Sequence, residues 1–210
     1  SAWSAEDDEA MSFLIGLFQW ITVFMGTFLG LVYGFTSGPL KLLPSHPKHK
    51  AVAYGFDHVY GPFLGMPGAP LRLVIGVGEV FAGFGLLLGV WGDALGFFGK
   101  DFGDVVRALI IVAAVGLITL AVTAASMHTY IDRMPGINLP LSILSSCFLL
   151  LRIFVVGPVY WGNQMLCTWL SVFVLLGLTA AVVVNKLYGQ HESTVAEPNT
   201  RMQEMLQEVS

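Results

Sequence analysis

Two ionisable residues stand inside strongly apolar stretches of this 210-residue chain. Glu79 lies in LVIGVGEVFAGFG and Arg152 lies in FLLLRIFVV. An ionised side chain is costly in hydrocarbon, so such residues form ion pairs, accept hydrogen bonds or carry protons. Opposite charge makes Arg152 the obvious partner of Glu79, in an ion pair that would join two helices. Helical rise, however, places Glu79 about 12 Å and Arg152 about 20 Å from the same membrane face, so Arg152 could instead extend to the opposite interface.

Imidazole and amide side chains could ligate chlorophyll magnesium or another porphyrin-type metal, and the candidates are His128, His58 and Gln19. His128 could also relay protons. Each has a simpler interpretation, because an interfacial histidine commonly bonds a backbone carbonyl and an intramembrane amide commonly bonds a neighbouring helix. His46 and His49 share a loop with His58, but a proline separates the first two. No carboxylate stands at ligand spacing, so we predict no metal site in that loop.

The remaining sequence offers no complete catalytic arrangement. It has no paired catalytic carboxylates and no nucleophile elbow, and the glycines of GVGEVFAGFG lie in an apolar stretch rather than in a phosphate-binding loop. We therefore predict no catalytic residue and favour a non-catalytic role. The net charge of −4 argues against nucleic acid as a partner, because its phosphates require a basic surface.

The chain contains five apolar stretches, each long enough to form a membrane-spanning helix. A helix needs about 20 apolar residues to cross a hydrocarbon core of about 30 Å, and 55% of the chain is hydrophobic. We therefore predict an all-α integral membrane protein whose spans form a bundle. The predicted spans are Met11–Phe35, Leu71–Trp91, Val105–Met127, Leu139–Val156 and Leu166–Leu187.

Small residues predict where these helices meet. Gly26, Gly30 and Gly34 recur at four-residue spacing in the first span, and Gly78 and Ala82 repeat the pattern in the second. In lipid, such a face lets a neighbouring backbone approach closely, and this close packing drives helix association.

The segments outside the spans also carry structural signals. The long loop 36–70 contains several prolines, but Lys48–Tyr60 has none and has the spacing of a short helix lying in the membrane interface. In the polar tail 189–210, Asn199–Val209 places apolar residues on one side of a helix. Such a short helix is marginal alone in water, so we expect a partner to hold it, with the chain's own loops as the alternative.

Basic residues predict the orientation. Most of them flank the long loop and the C-terminal tail, whereas Lys100 and Arg107 lie on the other side. The positive-inside bias predicts that the C-terminus lies in the cytosol, stroma or matrix. The acidic N-terminal tail, residues 1–10, would lie on the opposite side.

Three stretches of the chain resemble the DoxX-like superfamily. PLRLVIGVGEVFAGFGLLLGVWGD resembles its second helix, with a Gly-x-x-Glu element after a loop rich in Gly and Pro, and VFMGTFLGLVYGFTSGPLKLLPS resembles its first helix and exit. ASMHTYIDRMPGINLPLSILSSCFLLLRIFVV is similar to the turn between the third and fourth helices of its eukaryotic transmembrane branch. The matching residues are Met25-Gly26, Lys41-Leu42, Arg72, Glu79, Gly83, His128, Asp132 and Leu151-Arg152.

The resemblance implies a four-helix membrane domain over 11–156. The chain departs from that family by an additional transmembrane helix within 157–188 and by the polar tail that follows. Members are linked to thiosulfate–quinone oxidation, to receptor assembly and to undefined membrane roles, so the family alone does not specify an activity.

We predict a non-catalytic accessory subunit of a large energy-transducing complex, either a photosystem or a respiratory assembly, in a thylakoid or inner mitochondrial membrane. Its partners would be other membrane subunits and the lipid bilayer, with chlorophyll, carotenoid or lipid as candidate cofactors. The resemblance implies two alternatives. One is a quinone-linked oxidoreductase subunit in which Glu79 handles protons beside a bound quinone, with Arg152 and His128 nearby. The other is a membrane-protein assembly chaperone.

Overall fold

The computed structural model describes residues 5–97, 99–131, 136–156 and 192–208. Every regular element within these ranges is helical. The α-helices are α1 (Ala5–Leu31), α2 (Gly38–Leu42), α3 (His49–Gly55), α4 (Gly61–Leu64), α5 (Gly68–Ala94), α6 (Gly99–Ile131), α7 (Asn138–Leu150) and α8 (Glu192–Gln207). The π-helical segments in these ranges are Val32–Ser37, Phe56–Tyr60 and Leu151–Val156.

Four helical stretches are long and apolar enough to cross a membrane. They are Glu9–Leu42, Gly68–Ala94, Val105–Thr129 and Asn138–Val155. The predicted all-α class is therefore confirmed for the described residues. The first four predicted spans are confirmed as helices of sufficient length and hydropathy. The predicted fifth span, Leu166–Leu187, lies outside the described residues.

The first helical stretch extends beyond its predicted end at Phe35. The chain passes from α1 through the π-helical segment into α2 and leaves the helical conformation only after Leu42. Pro39 does not interrupt this path, because it follows directly on the π-helical segment, and a local π-helical adjustment can accommodate the backbone group that a proline leaves without a partner. This extension places Lys41 on a helix rather than in a loop.

The structure brings Gly26, Gly30 and Gly34 of the first span against neighbouring helices. A Cβ atom added at Gly83 of α5 would lie 2.6 Å from the Cα of Gly34 and 2.9 Å from the carbonyl oxygen of Gly30. At Gly26, an added Cβ would lie 2.7 Å from Val90. The first and second spans thus meet backbone to backbone, which is the packing that small residues permit in lipid.

The small-residue pair in the second span is divided between two environments. Ala82 packs against the core between α1, α5, α6 and α7, which includes Val23, Leu86 and Phe148. Gly78 instead faces outward, and a Cβ atom added there meets no described atom within 4 Å. Gly78 therefore forms no helix contact with the described part of the chain.

The long loop forms a compact helical layer at one end of the bundle. As predicted, residues 48–60 are largely helical, with α3 running into the π-helical segment, and α4 follows directly. Val59 and Phe63 are fully buried and pack in one cluster with Met127 of α6. The loop layer is therefore fixed to the end of the third span.

The C-terminal helix α8 lies on this loop layer. It contacts α3, the π-helical segment Phe56–Tyr60, α4 and α6. Met202 is only 3% exposed and lies against Gly55, while the guanidinium of Arg201 stands 5.5 Å from the ring centre of Tyr54. A partner was expected to hold this tail, but the chain's own loop helices hold it, because the apolar side of α8 meets apolar residues there.

Residue 156, where one described range ends, lies far from residue 192, where the next one begins. α7 begins near the loop layer, where Asn138 lines one cavity with Val52 and Phe56. The segment Leu151–Val156 after α7 contacts α1, and its Arg152 binds Asp93 near the end of α5. α8 lies on the loop layer. The two described ends thus lie at opposite ends of the bundle.

Substitution of Gly83 tests the backbone contact. Gly83→Ala places a methyl group against the Gly34 backbone, which cannot move as a flexible side chain would, and we expect a loss of about 1–3 kcal/mol in unfolding free energy. Gly78→Ala is the matched control, with a change between zero and a gain of about 1 kcal/mol. Thermal unfolding followed by circular dichroism in one detergent measures both variants. Equal melting temperatures would contradict the contact.

Substitution of Met202 tests the docking of α8. Met202→Ala removes a buried side chain from the contact with the loop layer, and truncations of this kind cost about 2–5 kcal/mol. We expect faster amide hydrogen exchange over 192–208 in this variant, with little change in Gln203→Ala, whose side chain is exposed. Rapid exchange of this helix in the unmodified protein would show that it is not docked.

Candidate functional site

Glu79 forms an ion pair with Lys41 inside the bundle. The Lys41 Nζ lies 2.7 Å from Glu79 Oε2, and Glu79 as a whole is 5% exposed. The pair joins the end of the first span to the middle of α5. Sequence reasoning missed it because Lys41 stood in a predicted loop, and the only available signal was that Pro39 can begin a helix as well as end one.

Ser37 completes this cluster one helical turn before Lys41. The Lys41 ammonium donates to the Ser37 hydroxyl at 2.7 Å and to the Ser37 carbonyl at 3.2 Å, in addition to Glu79. An ammonium group has three donors, so these three partners use all of them. We call Ser37, Lys41 and Glu79 the triad.

Two further side chains, Arg72 and His49, hydrogen-bond the end of α2, which carries Lys41. Arg72 Nη1 donates to the Lys41 carbonyl at 2.8 Å and lies 2.9 Å from His49 Nε2. His49 Nδ1 lies 3.1 Å from the Leu40 carbonyl. Donation from Arg72 makes Nε2 the acceptor, which assigns the ring hydrogen to Nδ1, facing Leu40. Arg72 and His49 thus satisfy carbonyls that a helix end leaves without partners.

Arg152 has a different partner from the one considered in the sequence. Its Nη1 donates to Asp93 Oδ2 at 2.8 Å, and Arg107 Nε donates to Asp93 Oδ1 at 3.0 Å. Asp93 follows Glu79 by fourteen residues on α5, which corresponds to about 21 Å of helical rise. Arg152 therefore cannot contact Glu79, because it is bound to Asp93 and about 21 Å of helix separates Asp93 from Glu79.

The triad borders a cavity of about 440 Å³. Its wall combines α5, α6, the end of the first span and the loop layer. The lining residues are Ser37, Leu40, Lys41, Val52, Phe56, Tyr60, Leu64, Leu71, Ile75, Glu79, Thr119, Leu120, Thr123, Ala124, Met127, His128 and Asn138. Glu79 and His128, two residues singled out in the sequence, thus face the same space.

The predicted pigment ligands lie in different places. His128 borders the cavity with its ring 5.6 Å from that of Tyr60. His58 is exposed on the loop layer and stacks on Tyr54 with ring centres 4.4 Å apart. Gln19 lies in α1, in the half far from the loop layer. Within the described ranges, no three His, Cys, Asp or Glu residues form a group that could hold a metal ion.

Comparison with family models, curated proteins and solved structures finds no significant match to this chain.

A double-mutant cycle tests the triad. Removing one partner of a buried ion pair leaves an uncompensated charge and costs about 3–5 kcal/mol, whereas replacing both with apolar residues is often close to neutral. We expect Lys41→Met and Glu79→Leu each to destabilise the protein, and the double variant to recover most of that loss in thermal unfolding.

A second cycle provides the control. Glu79→Leu combined with Arg152→Met pairs residues about 20 Å apart by helical rise, so their effects should add to within about 0.5 kcal/mol. Additive effects for Lys41 and Glu79, or strong coupling between Glu79 and Arg152, would contradict the observed pairing.

Proposed function

We propose that this protein is a non-catalytic accessory subunit of a large energy-transducing membrane complex, a photosystem or a respiratory assembly. The observation that supports this most is the outward face of α5. Val74, Phe81 and Leu88 are each about two-thirds exposed or more and recur at helical spacing, with Gly78 open between them. A glycine flanked by bulky apolar residues lets the helix of another subunit approach closely in lipid.

The outward face of α6 has the same character. Leu109 and Val112 are more than half exposed, and a Cβ atom added at Gly116, one turn further, meets no described atom within 4 Å. The described bundle already packs its inner glycines against itself. The open glycines therefore remain for contacts with neighbouring subunits, or with a carotenoid or lipid.

The proposal includes an orientation and a compartment. Lys48 and Lys50 of the loop layer lie at the same end of the bundle as Arg201 of α8, which supports a cytosolic, stromal or matrix location for that end. A thylakoid or inner mitochondrial membrane is part of the proposal. In a photosystem, the exposed His58 offers an imidazole to a chlorophyll held by a neighbour.

Isolation from native membranes tests the accessory role. In mild detergent, we expect the tagged protein to migrate with subunits of an energy-transducing complex, identified by mass spectrometry and by pigment or haem absorption. Gly78→Leu should reduce the fraction in the complex about tenfold, equivalent to about 1.4 kcal/mol. Val74→Leu on the same face is the control and should have little effect.

Two outcomes would contradict this role. Migration only as a free monomer with its detergent would remove the proposal. Association with immature partners, and absence from the finished complex, would instead indicate an assembly chaperone, which is the second role that the DoxX-like resemblance implies.

The quinone-linked oxidoreductase is the alternative function, and one observation favours it. Glu79 and His128 line one cavity, as a proton-handling site would require. Arg152 does not join them, since it is bound to Asp93. Thiosulfate-dependent quinone reduction by the purified protein, lost in Glu79→Gln, would support this alternative, and absence of turnover would remove it.

A further inference from the structure

We propose that the cavity beside the triad binds an uncharged lipid alcohol with a rigid ring body, whose hydroxyl group donates a hydrogen bond to the Glu79 carboxylate. This inference goes beyond the accessory role and does not depend on it, because it concerns an internal site of the chain itself. It rests on the shape of the cavity, on its charge and on which hydrogen-bonding groups remain available there.

The shape of the cavity selects an elongated molecule. On α5 its lining residues Leu71, Ile75 and Glu79 follow one another at four-residue spacing, which covers about 12 Å along the helix. On α6 the lining runs from Thr119 to His128, about 13 Å. A volume of about 440 Å³ falls in the range of small-molecule sites, about 300–1,000 Å³. It suits a fused-ring lipid and is too small for a two-chain phospholipid.

The charge of the site selects a neutral molecule. The opposite charges of Lys41 and Glu79 cancel, and they do so wherever the shared proton lies. A charged ligand would bring an uncompensated charge into a buried apolar site, which costs several kcal/mol. Fatty acids and amines are therefore disfavoured relative to uncharged lipids.

The hydrogen-bonding groups at the deep end select a donor. All three Lys41 hydrogens are engaged, by Glu79 and by the two oxygens of Ser37. A carboxylate has about four acceptor positions, and in the described chain Lys41 donates to Glu79 Oε2. The triad thus has spare acceptors and no spare ammonium hydrogen. A hydroxyl group can donate a hydrogen bond to Glu79, whereas a ketone has no hydrogen to donate to this carboxylate.

The rest of the wall suits a ring body. Between the triad and His128 the lining is largely apolar, with Phe56 and Leu64 from the loop layer and Ile75 and Leu120 from the spans. A hydroxyl buried in such surroundings without a partner would cost about 1–3 kcal/mol. A hydrogen bond to Glu79 avoids this cost and places the hydroxyl end of the ligand at the triad.

Two membrane lipids share this chemistry, namely sterols and the reduced, hydroxyl-bearing form of prenylated quinones. The test uses the purified full chain in phospholipid nanodiscs with tritiated cholesterol. Competitors are cholestenone, in which a ketone replaces the hydroxyl, a prenylated quinol, the matching quinone and a fatty acid. We expect saturable binding of cholesterol, with cholestenone at least tenfold weaker. The ranking of cholesterol and quinol identifies the source of the alcohol.

Variants assign the binding to the cavity. Ala124→Phe fills the space from α6 without touching the triad, and we expect at least a tenfold loss of binding. Val112→Leu, on the lipid-facing side of the same helix, should bind as the unmodified protein does. Circular dichroism checks that both variants remain folded. If Ala124→Phe does not fold, Thr123→Leu provides a second, smaller obstruction in the same wall.

Three results would overturn the inference. The first is the absence of saturable binding by either alcohol. The second is equal affinity for cholesterol and cholestenone, which would remove the role of the hydroxyl group. The third is unchanged binding in a folded, cavity-filled variant, which would locate the ligand on the outer surface of the bundle.

Discussion

The ion pair between Lys41 and Glu79 requires the first two spans to lie side by side. A carboxylate and an ammonium can leave water only if they reach each other, and here they do so across a contact between two helix backbones. The glycines at Gly34 and Gly83 make that distance short enough. Arg72 then binds the carbonyl of Lys41, so the helix end that carries the cation is itself held by the helix that carries the anion.

Helix α5 connects the bundle at two levels. Near its middle, Glu79 binds a cation from the first span, and near its end, Asp93 binds Arg107 of α6 and Arg152 beyond α7. Each carboxylate of α5 is therefore compensated by a neighbouring helix rather than by solvent. The first level borders a cavity and has acceptor capacity left over. At the second level, both oxygens of Asp93 are engaged, so this level serves to hold helices together.

The inner and outer faces of the bundle suit different roles. The inner face contains the triad and a cavity with a largely apolar wall, which suits a small neutral molecule. The outer faces of α5 and α6 expose bulky side chains around Gly78 and Gly116, which suits other helices and lipid. The two proposals therefore concern different surfaces of the same bundle.

The sequence by itself determined the helical membrane class, the first four spans, the glycine contact of the first span and the helical character of the loop. These follow from local composition and spacing, because length, hydropathy and side-chain size act along the chain. It did not determine the partners of Glu79 and Arg152. Charge complementarity suggested that Glu79 and Arg152 pair. Which charges meet, however, depends on how deep each residue lies in the membrane. Lys41 reaches the depth of Glu79 because the first helix continues through Pro39. Only the tertiary structure could bring Lys41 to Glu79 and Asp93 to Arg152, because those contacts join residues 38 and 59 positions apart.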